Sequence, residues 1–234
     1  MNYAKIAQLI EFDTPTVANG LELLGGRDPS IGYTGPDVRC LMPELGARVG
    51  IAVTARMDTT SPGRDGGSHP AVFYDWLRQI TEVVRAHTGE AGTLPVFAVI
   101  ESVGPRPRYT VTIGDGMGTQ MMMAGVAGFL TNGCIRDLTG VRGVPLPCWA
   151  AGVSPMHGTI RWLDIQTPVV IDGMAVRPGD VIHADENGAL CIPPDLADQV
   201  YDQAVKVREK EAALFERLRA PGMTISRHLE SLGR

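Results

Sequence analysis

Apolar positions along this chain follow two rhythms, and each change of rhythm marks an element. Residues 3–11 carry a short amphipathic pattern. Asp13-Thr14-Pro15 then reads as a cap with proline in the first turn of a helix. That helix runs through Leu23-Leu24 and stops at Gly25-Gly26. The stretches 48–57 (RVGIAVTARM) and 96–101 (VFAVIE) are continuous or alternating apolar runs of strand length. Between them SPGRDGGSHP (61–70) reads as a flexible loop, and a helix over 71–87 follows with Trp76, Ile80 and Val84 on one face. The run GTQMMMAGVAGFL (118–130) is apolar on nearly every side, which predicts a buried helix. Short strands are expected at 128–135, 146–151, 168–171, 181–184 and 189–192, separated by Gly, Pro and Asp turns. A last helix over 195–218 places Leu196, Val200, Ala204, Val207, Leu214 and Leu218 on one face. Helices early, in the middle and late, with strands crowding the second half, point to an α/β or α+β domain with a mixed sheet.

Composition narrows the classes. A chain of 234 residues fits one large domain with a substantial core. Its 44% hydrophobic and 20% charged residues are ordinary for a globular protein. The 28 glycines stand well above the usual share of about 7%, which implies tight turns and a place where backbone approaches something closely. A net charge of −5 carries no basic footprint, so nucleic acid is not expected as a direct partner. A small anionic substrate remains compatible, because a local positive site can sit on an acidic protein. Cys40, Cys134, Cys148 and Cys191 are widely spaced and form no CxxC pair, so they are expected as plain buried thiols, neither a zinc site nor a disulfide framework. The first residues lack an apolar core of signal-peptide length, and no run of about 18 apolar residues occurs, so the expectation is a soluble cytoplasmic protein without a membrane partner.

Candidate chemistry concentrates in IGDGMGTQMMMAGVAGFLTNGCIRDLTG (113–140). Gly114-Asp115-Gly116-Met117-Gly118 is a glycine-rich turn leading into a helix, and free N–H groups at a helix start suit a carboxylate or phosphate. Read alone, it serves equally as a tight turn with Asp115 as a cap. It is not a P-loop, since no Gly-Lys-Ser/Thr follows, and it is not a complete GxGxxG fingerprint. Twenty residues (116–135) separate Asp115 from Arg136-Asp137, where a hard oxygen ligand and a guanidinium stand side by side at a strand end.

This Asp-x20-Arg-Asp spacing resembles the class II pyruvate aldolases similar to 4-hydroxy-4-methyl-2-oxoglutarate/4-carboxy-4-hydroxy-2-oxoadipate aldolase, which share a fold with the regulator of ribonuclease activity A. Three further segments carry the resemblance: Phe12-Asp13-Thr14 through Leu24-Gly25, Val49-Gly50-Ile51-Ala52-Val53-Thr54, and VVIDGMAVRPGDVIHADENGALCIP (169–193). It covers roughly residues 12–193. The expected organisation is therefore one aldolase-like domain over 1–234, with a core at 12–193 and a C-terminal helical extension at 194–234. The resemblance implies a single-domain α/β sandwich resembling the swivelling β/β/α fold, with a mixed sheet and flanking helices, assembled as a homotrimer or hexamer with its site at a subunit interface. It implies Asp137 as the ligand of Mg²⁺ or Mn²⁺, Asp115 as a carboxylate orienting water near the metal, and Arg136 as the residue that hydrogen-bonds the reacting oxygen. Gly116, Met117 and Gly118 would present their amides to the pyruvyl carboxylate of a small 2-oxo acid.

Such a lyase would cleave a 4-hydroxy-2-oxo dicarboxylic or tricarboxylic acid to give pyruvate, and would decarboxylate oxaloacetate through the same enolate. A catalytic acid from a neighbouring subunit is expected, with Asp185 or Glu186 as candidates, although Asp185-Glu186-Asn187-Gly188 also reads as a hairpin turn. The chain departs from the pattern at Asn19, where the family often has aspartate. His157 and His183 have no partner at metal-ligand spacing and are expected in surface or structural roles, while Trp76, Trp149 and Trp162 are expected in the core or an interface. The alternative from a different class is a non-catalytic regulatory binding protein similar to the regulator of ribonuclease activity A. A methyltransferase gains no support, since no strand leads into a GxGxG-type nucleotide loop in the right context.

Overall fold

A computed structural model describes residues 1–61, 70–89 and 92–233, so the loop expected over 61–70 lies, its two end residues apart, outside the described residues. The helices are α1 (Tyr3–Ala7), α2 (Thr14–Leu23), α3 (Pro70–Ala86), α4 (Asp115–Met123), α5 (Leu138–Gly143), α6 (Ala197–Leu218) and α7 (Ile225–Ser231). Strands are β1 (Arg39–Cys40), β2 (Arg48–Asp58), β3 (Thr88–Gly89), β4 (Gly92–Thr93), β5 (Val96–Ser102), β6 (Val111–Ile113), β7 (Val126–Thr131) and β8 (Cys134–Ile135). They continue as β9 (Cys148–Ala150), β10 (Gly152–Val153), β11 (Arg161–Ile165), β12 (Val169–Ile171), β13 (Met174–Val176), β14 (Val181–Asp185) and β15 (Gly188–Ile192).

The main sheet is mixed and nearly closed, in the order β1-β9-β7-β5-β2-β14-β15. Strands β9, β7, β5 and β2 run parallel, and β1, β14 and β15 are antiparallel to their neighbours. The segment before β1 completes the turn of the sheet: Thr34 N–H donates to Ala189 O and Cys191 N–H to Gly32 O, so residues 32–40 bridge β15 to β9. Inside lies a core with Ala52, Phe97, Val99, Leu130, Trp149 and Ile182, closed by the β12–β13 hairpin. That hairpin turns at Asp172-Gly173, both at positive φ, the conformation an Asp-Gly turn supplies.

Alternation along β2 sends its other face outward in two directions. Val49 and Ile51 pack under α1, α2 and α6, whereas Val53, Ala55 and Met57 pack under α3. Trp76 and Ile80 of α3 are fully buried there, and the Trp76 indole N–H donates to Thr54 O. Trp76, Trp149 and Trp162 are all buried, as expected, and the four cysteines are unpaired, with Cys134, Cys148 and Cys191 buried and Cys40 only half-buried. Burial pushes the Cys148 and Cys191 thiols well up, away from thiolate chemistry.

The helix expected over 118–130 is corrected in both bounds. It begins at Asp115 and ends at Met123, because Gly125 adopts φ 101° and turns the chain into β7. What read as an apolar helix is half strand: β7 is buried on both faces between two parallel neighbours, and such strands lack alternation. Met123 is 83% exposed, so the helix is not buried all round. The strand expected over 128–135 is two strands, β7 and β8. In α6 the stripe through Val200, Ala204 and Val207 is buried against the body, but Leu214 and Leu218 are exposed.

Candidate active site

Three short parallel strands, β6, β8 and β10, form a separate small sheet beside the main one, with β8 in the centre. Their carboxyl ends open onto one cleft of about 260 Å³. Ligands in parallel α/β architectures characteristically bind at such strand ends. From the end of β6 the chain passes through Gly114 to Asp115, the first residue of α4. From the end of β8 it passes to Arg136 and Asp137, and the Arg136 N–H is held by Ile113 O at 2.9 Å. Asp115 and the adjacent pair Arg136-Asp137, separated by residues 116–135 in the chain, therefore line the same cleft.

Asp137 sits at φ 55°, ψ 43°, the left-handed conformation that aspartate tolerates better than most side chains. It precedes α5 but makes no side-chain capping bond, so its carboxylate is turned away from the helix it starts. There Arg136 Nε donates to Oδ2 at 3.0 Å, with both side chains about one third exposed. Gly114 permits this approach, since a Cβ in its place would lie 2.7 Å from Asp137 Oδ2 and 3.2 Å from Arg136 Cγ. Gly140 plays the same part for Asp115, whose Oδ2 would be 2.3 Å from an added Cβ. Asp115 Oδ1 accepts from Gly116 N–H at 2.7 Å.

The three amides expected to receive a carboxylate are not equivalent. Gly118 N–H donates back to Gly114 O at 2.9 Å, and Gly118 packs toward Ile113 and Leu146, outside the cleft lining. Gly116 N–H is taken by Asp115. Met117 N–H has no acceptor among the described residues, and it sits in the first turn of α4, where the helix dipole favours an anion. Of the two candidate trans acids, Asp185 is buried and committed locally, accepting from Thr14 N–H at 2.8 Å and Asn187 N–H at 2.7 Å. Glu186 is exposed at the tip of the two-residue β14–β15 hairpin, as the turn reading implied. Neither residue lines the cleft. Asn19 lies elsewhere, its amide 3.4 Å from Glu211 between α2 and α6.

His157, expected at the surface or in a structural role, is exposed and in that position lines the cleft together with Arg136 and Asp137. Its position follows from the two-residue strand β10, too short to show any period. His183 does have the structural role: it is fully buried, with Nε2 3.0 Å from Leu9 O and Nδ1 3.0 Å from Thr14 Oγ1. A larger groove of about 750 Å³ runs between α2 and α6. Its lining combines Leu23 and Leu214 with the charged side chains Lys206, Lys210, Glu211 and Arg217 of the exposed half of α6, and none of the residues expected to carry chemistry lies in it.

Mg²⁺ is a hard ion that keeps several waters and takes one or two carboxylates. No group of three or more His, Cys, Asp or Glu side chains suited to a metal occurs among the described residues, so a fully protein-built cage is absent there. A single uncapped, part-exposed carboxylate, Asp137, with a second one nearby in Asp115, fits an ion of that kind and does not fit structural zinc.

A mixed, nearly closed sheet with flanking helices and a cleft at parallel strand ends lined by two carboxylates and an arginine defines the class as a mixed α/β protein. The chain belongs to the RraA-like family, described as Aldolase/RraA, which it matches over residues 14–191. A relative from Azotobacter vinelandii named "Putative 4-hydroxy-4-methyl-2-oxoglutarate aldolase" is 32% identical over 165 residues, covering 70% of this chain and 96% of that one. An uncharacterised protein of Methanocaldococcus jannaschii is 29% identical over 52% of this chain and 59% of its own length. The match thus spans under two thirds of several relatives, and only 19% of Legionella pneumophila DlpA. Among solved structures, Streptomyces coelicolor RraAS2, titled an unusual member of the RNase ES inhibitor RraA protein family, aligns with TM-score 0.69 at 24% identity, covering 92% of this chain and 96% of that one. A Pseudomonas syringae protein of unstated function aligns with TM-score 0.71 at 22% identity, covering 97% and 93%. These two show the fold.

Proposed function

We propose that this chain is a divalent-metal-dependent lyase that cleaves a carbon–carbon bond of a 4-hydroxy-2-oxo dicarboxylic or tricarboxylic acid to release pyruvate, and that it also decarboxylates oxaloacetate. The observation that carries this reading is the convergence of Asp115, Arg136 and Asp137 on one cleft with the open Met117 amide. Aldolase names among the relatives support it.

Breaking the bond next to a 2-oxo group leaves the enolate of pyruvate, with negative charge growing on the former carbonyl oxygen. Asp137, with Asp115 behind it, would hold Mg²⁺ or Mn²⁺, which when bound supplies Lewis-acid stabilisation of that charge. Arg136 offers a fixed guanidinium to the same oxygen, already oriented by Asp137 Oδ2 at 3.0 Å. Met117 N–H and the α4 dipole would take the substrate carboxylate. In a trimer or hexamer, the exposed Glu186 of a neighbouring copy is the candidate for an acid supplied in trans, since Asp185 is buried.

The test is pyruvate release from a panel of 4-hydroxy-2-oxo acids and oxaloacetate, before and after chelation. Release should disappear on chelation and return with Mg²⁺ or Mn²⁺. Full activity after exhaustive chelation would sink the metal assignment. Failure to release pyruvate from any of these acids would make a regulatory binding protein on this fold the better reading.

A further inference from the structure

The third strand of the small sheet leads to a residue that the reading above leaves without a task. After β10 the chain runs Ser154-Pro155-Met156-His157, with Ser154 N–H donating to Ile135 O at 2.9 Å beside the Arg136-Asp137 turn. His157 then lines the cleft together with Asp115, Arg136 and Asp137. Its turn is fixed from below: Gly158 adopts φ +64°, and a Cβ there would lie 2.3 Å from Thr59 O, so the loop is pressed onto the turn after β2. His157 Nδ1 is 2.9 Å from Gly158 O. A carbonyl oxygen can only accept, so Nδ1 bears the proton and Nε2 holds the free lone pair of the neutral ring.

A retro-aldol cleavage needs one group that accepts the 4-hydroxyl proton and later protonates the enolate carbon. Arg136 cannot accept, being permanently protonated. Asp137 pairs with Arg136 and would also hold the metal, Asp115 accepts from Gly116 N–H through Oδ1, and Glu186 does not line this cleft of its own chain. Histidine both accepts and donates near neutral pH. We propose that His157 is the proton-exchanging residue of the cleft, an inference that rests on the lyase reading above. Nε2 takes the 4-hydroxyl proton as the C3–C4 bond breaks and its electron pair enters the enolate of pyruvate. The imidazolium returns that proton to C3, leaving pyruvate and a second carbonyl product. With oxaloacetate, carbon dioxide leaves, and the imidazolium, recharged from water, protonates C3. The charged groups facing this histidine are Asp115, Arg136 and Asp137 in the cleft. Beneath it Asp58 ends β2, its carboxylate engaged by Thr60 and Ser61.

The experiment compares wild type with His157→Gln, both loaded with Mg²⁺. Deuterium incorporation into the pyruvate methyl group in D₂O, followed by proton NMR, should slow by about 10²–10⁴-fold in the variant. The kcat for hydroxy-acid cleavage should fall with it, while calorimetric binding of oxalate, a stable mimic of the enolate, stays within a few-fold. Exchange at the wild-type rate in the variant overturns the proposal, and so does loss of oxalate binding in the same proportion as exchange. If His157→Gln fails to fold, the wild-type His157 ring resonance decides: it should shift when oxalate binds. A resonance indifferent to oxalate overturns the proposal. Wild type that neither releases pyruvate nor exchanges its methyl protons overturns the lyase reading and this inference together. An active wild type with an unaffected variant overturns the inference alone.

Discussion

Arg136 is where a binding role and a catalytic one part company. Its backbone is pinned by Ile113 O and its Nε by Asp137, so little reorganisation is left when charge develops beside it. A preorganised donor of this sort acts mainly on the transition state. Arg136→Ala should therefore lower kcat by about 10²–10³-fold with a smaller change in KM. Arg136→Lys should recover part of the loss, because lysine keeps the charge and not the fork. Steady-state pyruvate production from oxaloacetate by the three proteins measures both effects, and an alanine variant with wild-type kcat would make the residue structural. The adjacent pair and its distance to Asp115 are legible in sequence as a spacing. That Gly114 and Gly140 exist to let those carboxylates approach is not, because the clash each glycine avoids is with atoms far along the chain or across a turn.

Among the elements, the caps and periods behaved as local chemistry requires. Asp13 accepts from Thr16 N–H at 2.7 Å and caps α2, with Pro15 in the first turn. The α2–α6 pairing is closer than any pattern announces. Gly20 lies where a Cβ would be 2.8 Å from Ala204 N, a backbone atom that cannot swing aside. Gly20→Ala should destabilise the fold by about 1–3 kcal/mol, seen as a lower urea midpoint at unchanged slope. An unchanged midpoint would mean that the two helices separate at little cost. The misread stretch 118–130 fails for a physical reason. Helix periodicity disappears both in a helix buried all round and in a strand buried on both faces, and only the left-handed Gly125 divides them.

At the scale of the whole molecule, the N-terminal helices are tied to the sheet through one buried ring. Leu9 O can only accept, so His183 Nε2 carries the proton and Nδ1 accepts from the Thr14 hydroxyl. Burial pushes the imidazole below its ordinary value of 6.5, outweighing the opposing influence of Leu9 O and Asp185. The unfolded chain thus binds this proton at a higher pH than the folded one. Stability from His183 is full above about pH 6.5 and declines as the pH falls below it. Thermal unfolding from pH 8 to 5 should show Tm dropping on the acid side, and His183→Gln should flatten that drop. A slope untouched by the substitution would assign the acid sensitivity to other groups. No helix among the described residues is long and apolar enough to cross a membrane, in keeping with the sequence expectation of no membrane span.

The sequence by itself determined helix α2 with its Asp13 cap, the periodic helices α3 and α6, the long strands β2 and β5, the Asp185–Gly188 hairpin turn, the mixed α/β character and the family. Each of these is written in neighbouring residues or in a motif of fixed spacing. Tertiary structure alone decided which carboxyl ends share a rim. β6, β8 and β10 are three, two and two residues long, too short to show a period, and they exist because distant segments satisfy one another's backbone hydrogen bonds. That pairing puts His157 beside Arg136 and Asp137, removes Gly118 from the cleft and leaves Met117 N–H open at the start of α4. A side chain's neighbours across a sheet are set by long-range register, and register is not a property of any short stretch of chain.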